Sequence, residues 1–130
     1  MSHEILQPPG WARPRGYANG VAAEGRQVFV SGQIGWDAEQ RFVGDDFAAQ
    51  ARQALANVVA VLACAGATPE RLVRLTWYIT SRDEYNASLA GIGAAYRELI
   101  GRHYPAMSVV VVAGLLEPRA KVEIEATAVV

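Results

Sequence analysis

Two stretches near the C-terminus both read as β-strands but demand different surroundings. Val109-Val110-Val111-Val112-Ala113 is apolar at every position. Its β-branched residues favour extended backbone, and a strand apolar on both sides needs cover on both faces. The second stretch alternates. Val122, Ile124, Ala126 and Ala128 point one way, and Lys121, Glu123, Glu125 and Thr127 the other. Two carboxylates on one face of that strand suit solvent, a partner subunit or a small-molecule cleft, and not a second layer of the same domain. A sheet with one helix-covered face and one face left for something else is therefore expected.

The remaining chain supplies both the sheet and its cover. Pro8, Pro9, Gly10, Pro14 and Gly16 predict an extended, irregular lead-in over residues 5–16. Tyr17 to Ala23 reads as a first strand, Glu24-Gly25 as a hairpin turn and Arg26 to Ser31 as the partner strand. Phe47, Ala51, Ala54, Leu55, Val58, Val61, Leu62 and Ala65 recur every three or four residues. This is one face of a helix, with Asp45 or Asp46 to cap it and Gly66 to end it. Thr68-Pro69-Glu70 reads as a one-turn helical start, and Leu72 to Thr80 as another alternating strand. Ser81-Arg82-Asp83-Glu84 is a capping-box signature for a second helix, with Tyr85, Leu89, Ile92, Tyr96 and Leu99 on one side and Gly101 as its stop. The predicted order is β-β-α-β-α-β-β: an α+β domain spanning 1–130, with two helices on one face of a single sheet. Two helices cover one face only, so oligomerisation is expected to bury the other.

Composition excludes several classes of function. With 12 basic and 13 acidic side chains the net charge is −1, which leaves no basic stripe for nucleic acid. A lone cysteine, Cys64, cannot form an internal disulfide and suits a reducing compartment. It falls on the apolar side of the first helix and reads as a buried thiol. The N-terminus lacks the pattern of a signal peptide, and no apolar run approaches the ~20 residues of a membrane span. A cytoplasmic protein without membrane or nucleic-acid partners is expected.

Four segments carry a resemblance. They are Gly16-Tyr17-Ala18-Asn19-Gly20-Val21, Val28-Phe29-Val30-Ser31-Gly32-Gln33-Ile34, Pro105-Ala106-Met107-Ser108 and Val122-Glu123-Ile124-Glu125-Ala126; the helical Gln50 to Val58 joins them. In order and spacing these resemble the RidA/YjgF family of small trimeric proteins. The resemblance implies a chorismate-mutase-like α+β fold, a homotrimer with sheets facing inward, and small-molecule clefts between subunits. It also implies hydrolysis of reactive enamines and imines to 2-keto acids and ammonia, without a metal or organic cofactor.

Residue by residue, the resemblance makes Glu123 the catalytic carboxylate that positions or activates water. Tyr17, Ser31, Gly93, Ala106, Met107 and Val109 become candidate substrate contacts. The family's arginine, which grips the substrate carboxylate in a Pro-Ala-Arg-Ser motif, is here Met107, and a cleft asparagine of the second helix falls at Gly93. A guanidinium fork offers a carboxylate two charge-assisted hydrogen bonds, and methionine offers none. The expected substrate is therefore an enamine, imine or related electrophile other than the usual 2-iminocarboxylates, or one gripped by another cation. Arg119 and Arg15 are the nearest candidates in sequence. A trimer that binds a ligand without chemistry, or acts as a holdase, is the alternative.

Simpler structural roles compete at each position. Glu123 could be a solvated carboxylate paired with Lys121 or Arg119, Tyr17 a packed aromatic, Ser31 a local backbone partner and Met107 core. Glu125 reads as structural, Trp77 as core and His103 as a helix C-terminal cap. Trp11 is a candidate for the mouth of the cleft.

Overall fold

The computed structural model describes residues 3–130. Six strands and three helices follow in the order β1 (Glu4–Leu6), β2 (Gly20–Ala22), β3 (Gln27–Ile34), α1 (Phe47–Cys64), β4 (Leu72–Ile79), α2 (Arg82–Ala87), α3 (Leu89–Leu99), β5 (Ala106–Val111) and β6 (Val122–Val129), with a 3-10 turn at Pro69–Arg71 before β4. The main sheet has the order β3-β6-β4-β5. β6 runs antiparallel to both neighbours, and β4 is parallel to β5.

Local chemistry sets the helix ends. Asp46 accepts from the Ala49 N–H at 2.9 Å and starts α1, and Gly66 leaves it in the left-handed region at φ 70°. Ser81 accepts from the Glu84 N–H, but the Glu84 side chain turns to Lys121 at 2.6 Å instead of closing a capping box. The expected second helix is broken at Ser88 into α2 and α3. Where α3 crosses α1, a Cβ added at Gly91 would lie 2.8 Å from the Ala48 Cβ. The glycine allows the two helices to approach that closely, and the break separates α3 from the direction set by α2.

Helices and sheet share one core. Leu55, Val58 and Leu62 of α1 are fully buried with Leu72, Leu75, Val122 and Ile124 of the sheet. Each such side chain contributes about 1.5–3 kcal/mol relative to exposure. α1 is apolar and 18 residues long, but its apolar stripe lies on the sheet, as in a core helix. That stripe is narrower than the sequence pattern predicts. Val61, Ala65 and Cys64 fall outside it, so Cys64 is exposed rather than buried.

The expected hairpin between the first two strands does not form. β2 pairs with β1, so the extended lead-in is itself a strand over its first residues. Arg26 instead exchanges two backbone hydrogen bonds with Val130, at 2.8 and 2.9 Å, continuing the β3–β6 ladder. The Glu24-Gly25 turn therefore delivers the chain to the C-terminal strand, and β1 and β2 form a separate two-stranded sheet beside the main one. Ala18 ties it to the sheet by a bridge to Ala106 and a 3.0 Å hydrogen bond to the Pro105 carbonyl.

Buried Gln50 had only a place on the helix in the sequence reading. Its amide donates to the Gly44 and Arg119 carbonyls and accepts from the Lys121 N–H, pinning the loop that enters β6. Gly35 makes room for it, since a Cβ there would sit 2.6 Å from the Gln50 Cβ.

Candidate functional site

Register divides the candidate residues between the two faces of the sheet. On the helix side, Leu75, Trp77 and Ile79 of β4 stand beside Met107, Val109 and Val111 of β5. On the open side, Arg74, Thr76 and Tyr78 register with Ala106, Ser108 and Val110 and, across β6, with Thr127, Glu125 and Glu123. Phe29 of β3 joins the open face opposite Thr127 and is 71% exposed.

Glu123 belongs to the open face. The β3–β6 register slips between Val30 and Gln33, and bulges of this kind re-aim side chains. At Gly32, inside that slip, an added Cβ would overlap the Glu123 carboxylate, so the glycine leaves the carboxylate its place. The carboxylate makes no ion pair or hydrogen bond among the described residues. Both expected partners are engaged elsewhere: Lys121 with Glu84 at 2.6 Å and Arg119 with Asp45 at 3.2 Å. Ser31 precedes Gly32 and lines an open-face depression of about 370 Å³ with Phe29, Arg74 and Glu125. Glu125 accepts from the Tyr78 hydroxyl at 2.6 Å, as a structural role requires. That hydrogen bond, then burial and the Glu125 and Glu123 charges, raise the Tyr78 pKa above the usual phenol value.

Met107 and Gly93 belong to the helix side. Between α3 and β5 lies a hollow of about 250 Å³. Met107, Trp77, Tyr85, Leu89 and Ile92 supply much of its wall, with Tyr96 and Tyr104, whose rings stack with centroids 5.4 Å apart. Arg15, Gly16, Gly93 and Arg97 complete it. Burial, and secondarily the neighbouring Tyr104, pushes the Tyr96 phenol well above its ordinary range. Its hydroxyl donates to the His103 carbonyl at 2.6 Å. His103 is not a helix cap: its imidazole meets the Leu72 carbonyl at 2.7 Å and ties this loop to the start of β4.

Tyr17 lies at the sheet margin, in a second hollow with Trp11, Arg13, Arg102 and His103; Tyr104 borders both hollows. Trp11 is 62% exposed at that mouth. Val109 is on the helix side of the exposed edge strand β5, and Ala106 on the open side at its start. Arg119 stacks 5.1 Å from the Phe42 ring centroid and borders neither hollow within one subunit. Among the described residues no group of three or more His, Cys, Asp or Glu side chains could hold a metal ion.

Sequence reasoning missed Arg97 and the tyrosine wall. The available signal was Arg97 one helical turn after Gly93, which places both on one side of α3.

A family model described as Endoribonuclease L-PSP matches residues 12–130, and a 2-iminobutanoate/2-iminopropanoate deaminase from Salmonella typhimurium is 37% identical over 116 residues, 87% of this chain and 86% of that protein. The chain belongs to the RidA/YjgF family. Solved relatives agree in fold. A Rid-family protein of unknown function from Yersinia pestis, YyfB, superposes with a TM-score of 0.88 at 35% identity over 100% of both chains. The YjgF gene product of Escherichia coli gives 0.68 at 35% identity, over 87% of each chain.

Proposed function

We propose that this RidA/YjgF member hydrolyses an imine or its enamine tautomer to a carbonyl compound and ammonia, in clefts formed between three copies of the chain. The observation that carries the reading is the unpaired Glu123 carboxylate, held over Gly32 on the open face of a sheet whose other face bears the Met107 hollow. A carboxylate without a cation is free to accept a proton from water. The two halves lie on opposite faces, so a neighbouring copy packed on the open face would unite them. Exposed Phe29 and Val110, and the uncovered edge strand β5, support such packing.

Glu123 would orient a water toward the imine carbon and take one of its protons as the C–O bond forms. The carbinolamine nitrogen receives a proton, the C–N bond breaks with its electron pair leaving on nitrogen, and ammonia departs. Loss of the hydroxyl proton gives the carbonyl, so one water is consumed per ammonia released. Met107 offers no charge to a substrate carboxylate, which favours a substrate whose apolar body meets Met107 and the tyrosine wall.

The test is ammonia release from freshly generated imines, small and bulky, by wild type and Glu123→Gln. Acceleration by wild type and its loss in the variant support the reading. Equal rates with and without the protein would overturn it in favour of a trimer that binds without chemistry.

A further inference from the structure

The hollow beside Met107 is apolar in its walls and cationic at its edge. Arg97 of α3 and Arg15 of the lead-in both line it and are both exposed. Among the described residues neither guanidinium has an ion pair, and no carboxylate lines the hollow. Gly93 keeps the approach clear: a Cβ there would already touch Arg97 Nη1 at 3.4 Å, so a longer side chain would compete for the guanidinium's space. Trp77, 2% exposed, adds to the apolar wall of the same hollow.

We propose that Arg97, assisted by Arg15, binds the carboxylate of a substrate whose apolar or aromatic body fills the hollow between Met107 and the tyrosine rings. The substrate class is a 2-imino acid with a bulky apolar side chain. Guanidinium forks match carboxylates in geometry as well as charge, and aromatic walls accept a ring without requiring charge of their own. The inference rests on the imine-hydrolase reading for the identity of the reacting group, but the anion site can be tested separately.

Two measurements separate the claims. Calorimetric titration with phenylpyruvate, a product of the proposed class, reads the anion site without turnover. Saturable binding by wild type, weakened about 10–150-fold in Arg97→Met and partly restored in Arg97→Lys, is expected for loss of a charge-assisted hydrogen bond. Absence of wild-type binding, or equal binding by Arg97→Met, overturns the assignment whatever the activity. Turnover is then compared for the imine made by oxidising phenylalanine and the uncharged imine made by oxidising phenethylamine. Wild type is expected to prefer the acid through KM, and Arg97→Met to lose that preference. If wild type hydrolyses both equally and Arg97→Met changes neither, hydrolysis stands and the Arg97 assignment fails. If it hydrolyses neither yet binds phenylpyruvate through Arg97, the anion site stands and the hydrolase reading fails. Arg97 is exposed, so Arg97→Met is expected to fold, as circular dichroism checks.

Discussion

The two faces of the β3-β6-β4-β5 sheet share one set of strands and differ in nearly every other respect. The helix side is closed by α1 and α3 over a dense apolar core, and the hollow beside β5 is walled by aromatic rings and Met107. The open side carries Phe29, Arg74, Thr76, Tyr78, Glu123 and Glu125, without a covering helix among the described residues. Successive strand residues point to opposite sides, so neighbours in sequence can serve different chemistry. Met107 and Ala106 are adjacent in the chain and lie on different faces. A cleft that needs residues from both faces cannot close within one subunit.

Four experiments break or sharpen that contrast. The largest effect is expected from Phe29→Glu, which places a charge on the open face at the edge strand β3. If the proposed trimer forms through this face, the variant should be monomeric by light scattering and imine turnover should fall to background while circular dichroism is unchanged. A variant that stays trimeric, or a monomer that retains full activity, would show that the open face is not needed.

Gly32→Ala comes next. Its methyl group would overlap the Glu123 carboxylate and move it. Displacement by ~1 Å costs about a hundredfold in kcat. Unchanged kcat in a correctly folded variant would remove Glu123 from the chemistry.

On the helix side, Tyr96→Phe deletes the 2.6 Å hydrogen bond to the His103 carbonyl, a loss of about 1 kcal/mol at neutral pH. The same variant tests the raised phenol pKa. The unfolded phenol ionises around the ordinary tyrosine value of 10.0, whereas burial keeps the folded phenol protonated above it. The resulting stability is fully present below that pH and is lost as pH rises beyond it. Denaturant melts across this range should show a smaller alkaline loss in Tyr96→Phe than in wild type.

Arg119→Ala should do least. Its ion pair with Asp45 joins two side chains that are 56% and 76% exposed, worth ~0–1 kcal/mol. Phenylpyruvate affinity should not change. A tenfold loss would mean that a neighbouring copy's Arg119 supplies the cation, not Arg97.

Much of this was legible in sequence because it depends on period and local chemistry. The alternation from Val122 to Ala128, the caps at Asp46 and Ser81, and the stops at Gly66 and Gly101 are short-range preferences that the fold retains. The segments around Tyr17, Ser31, Met107 and Glu123 carry the family resemblance in the same way. Where partners are distant in sequence, the reading failed. A turn at Glu24-Gly25 is correct, but that it hands the chain to Val130, and not back to β2, depends on a strand more than a hundred residues later. Cys64 was misplaced because a helical pattern does not fix how wide a stripe the sheet will cover.

The sequence by itself determined an α+β domain, one charged strand face and membership of the RidA/YjgF family. Only the tertiary structure decided which residues meet. It put Glu123 over Gly32 on one face, Met107 in one hollow with the tyrosine rings on the other, and the guanidiniums of Arg97 and Arg15 at the edge of that hollow. The physical reason is that residue type and spacing set the phase of each element, whereas register, helix breaks and close approaches at glycine arise only once distant elements pack together.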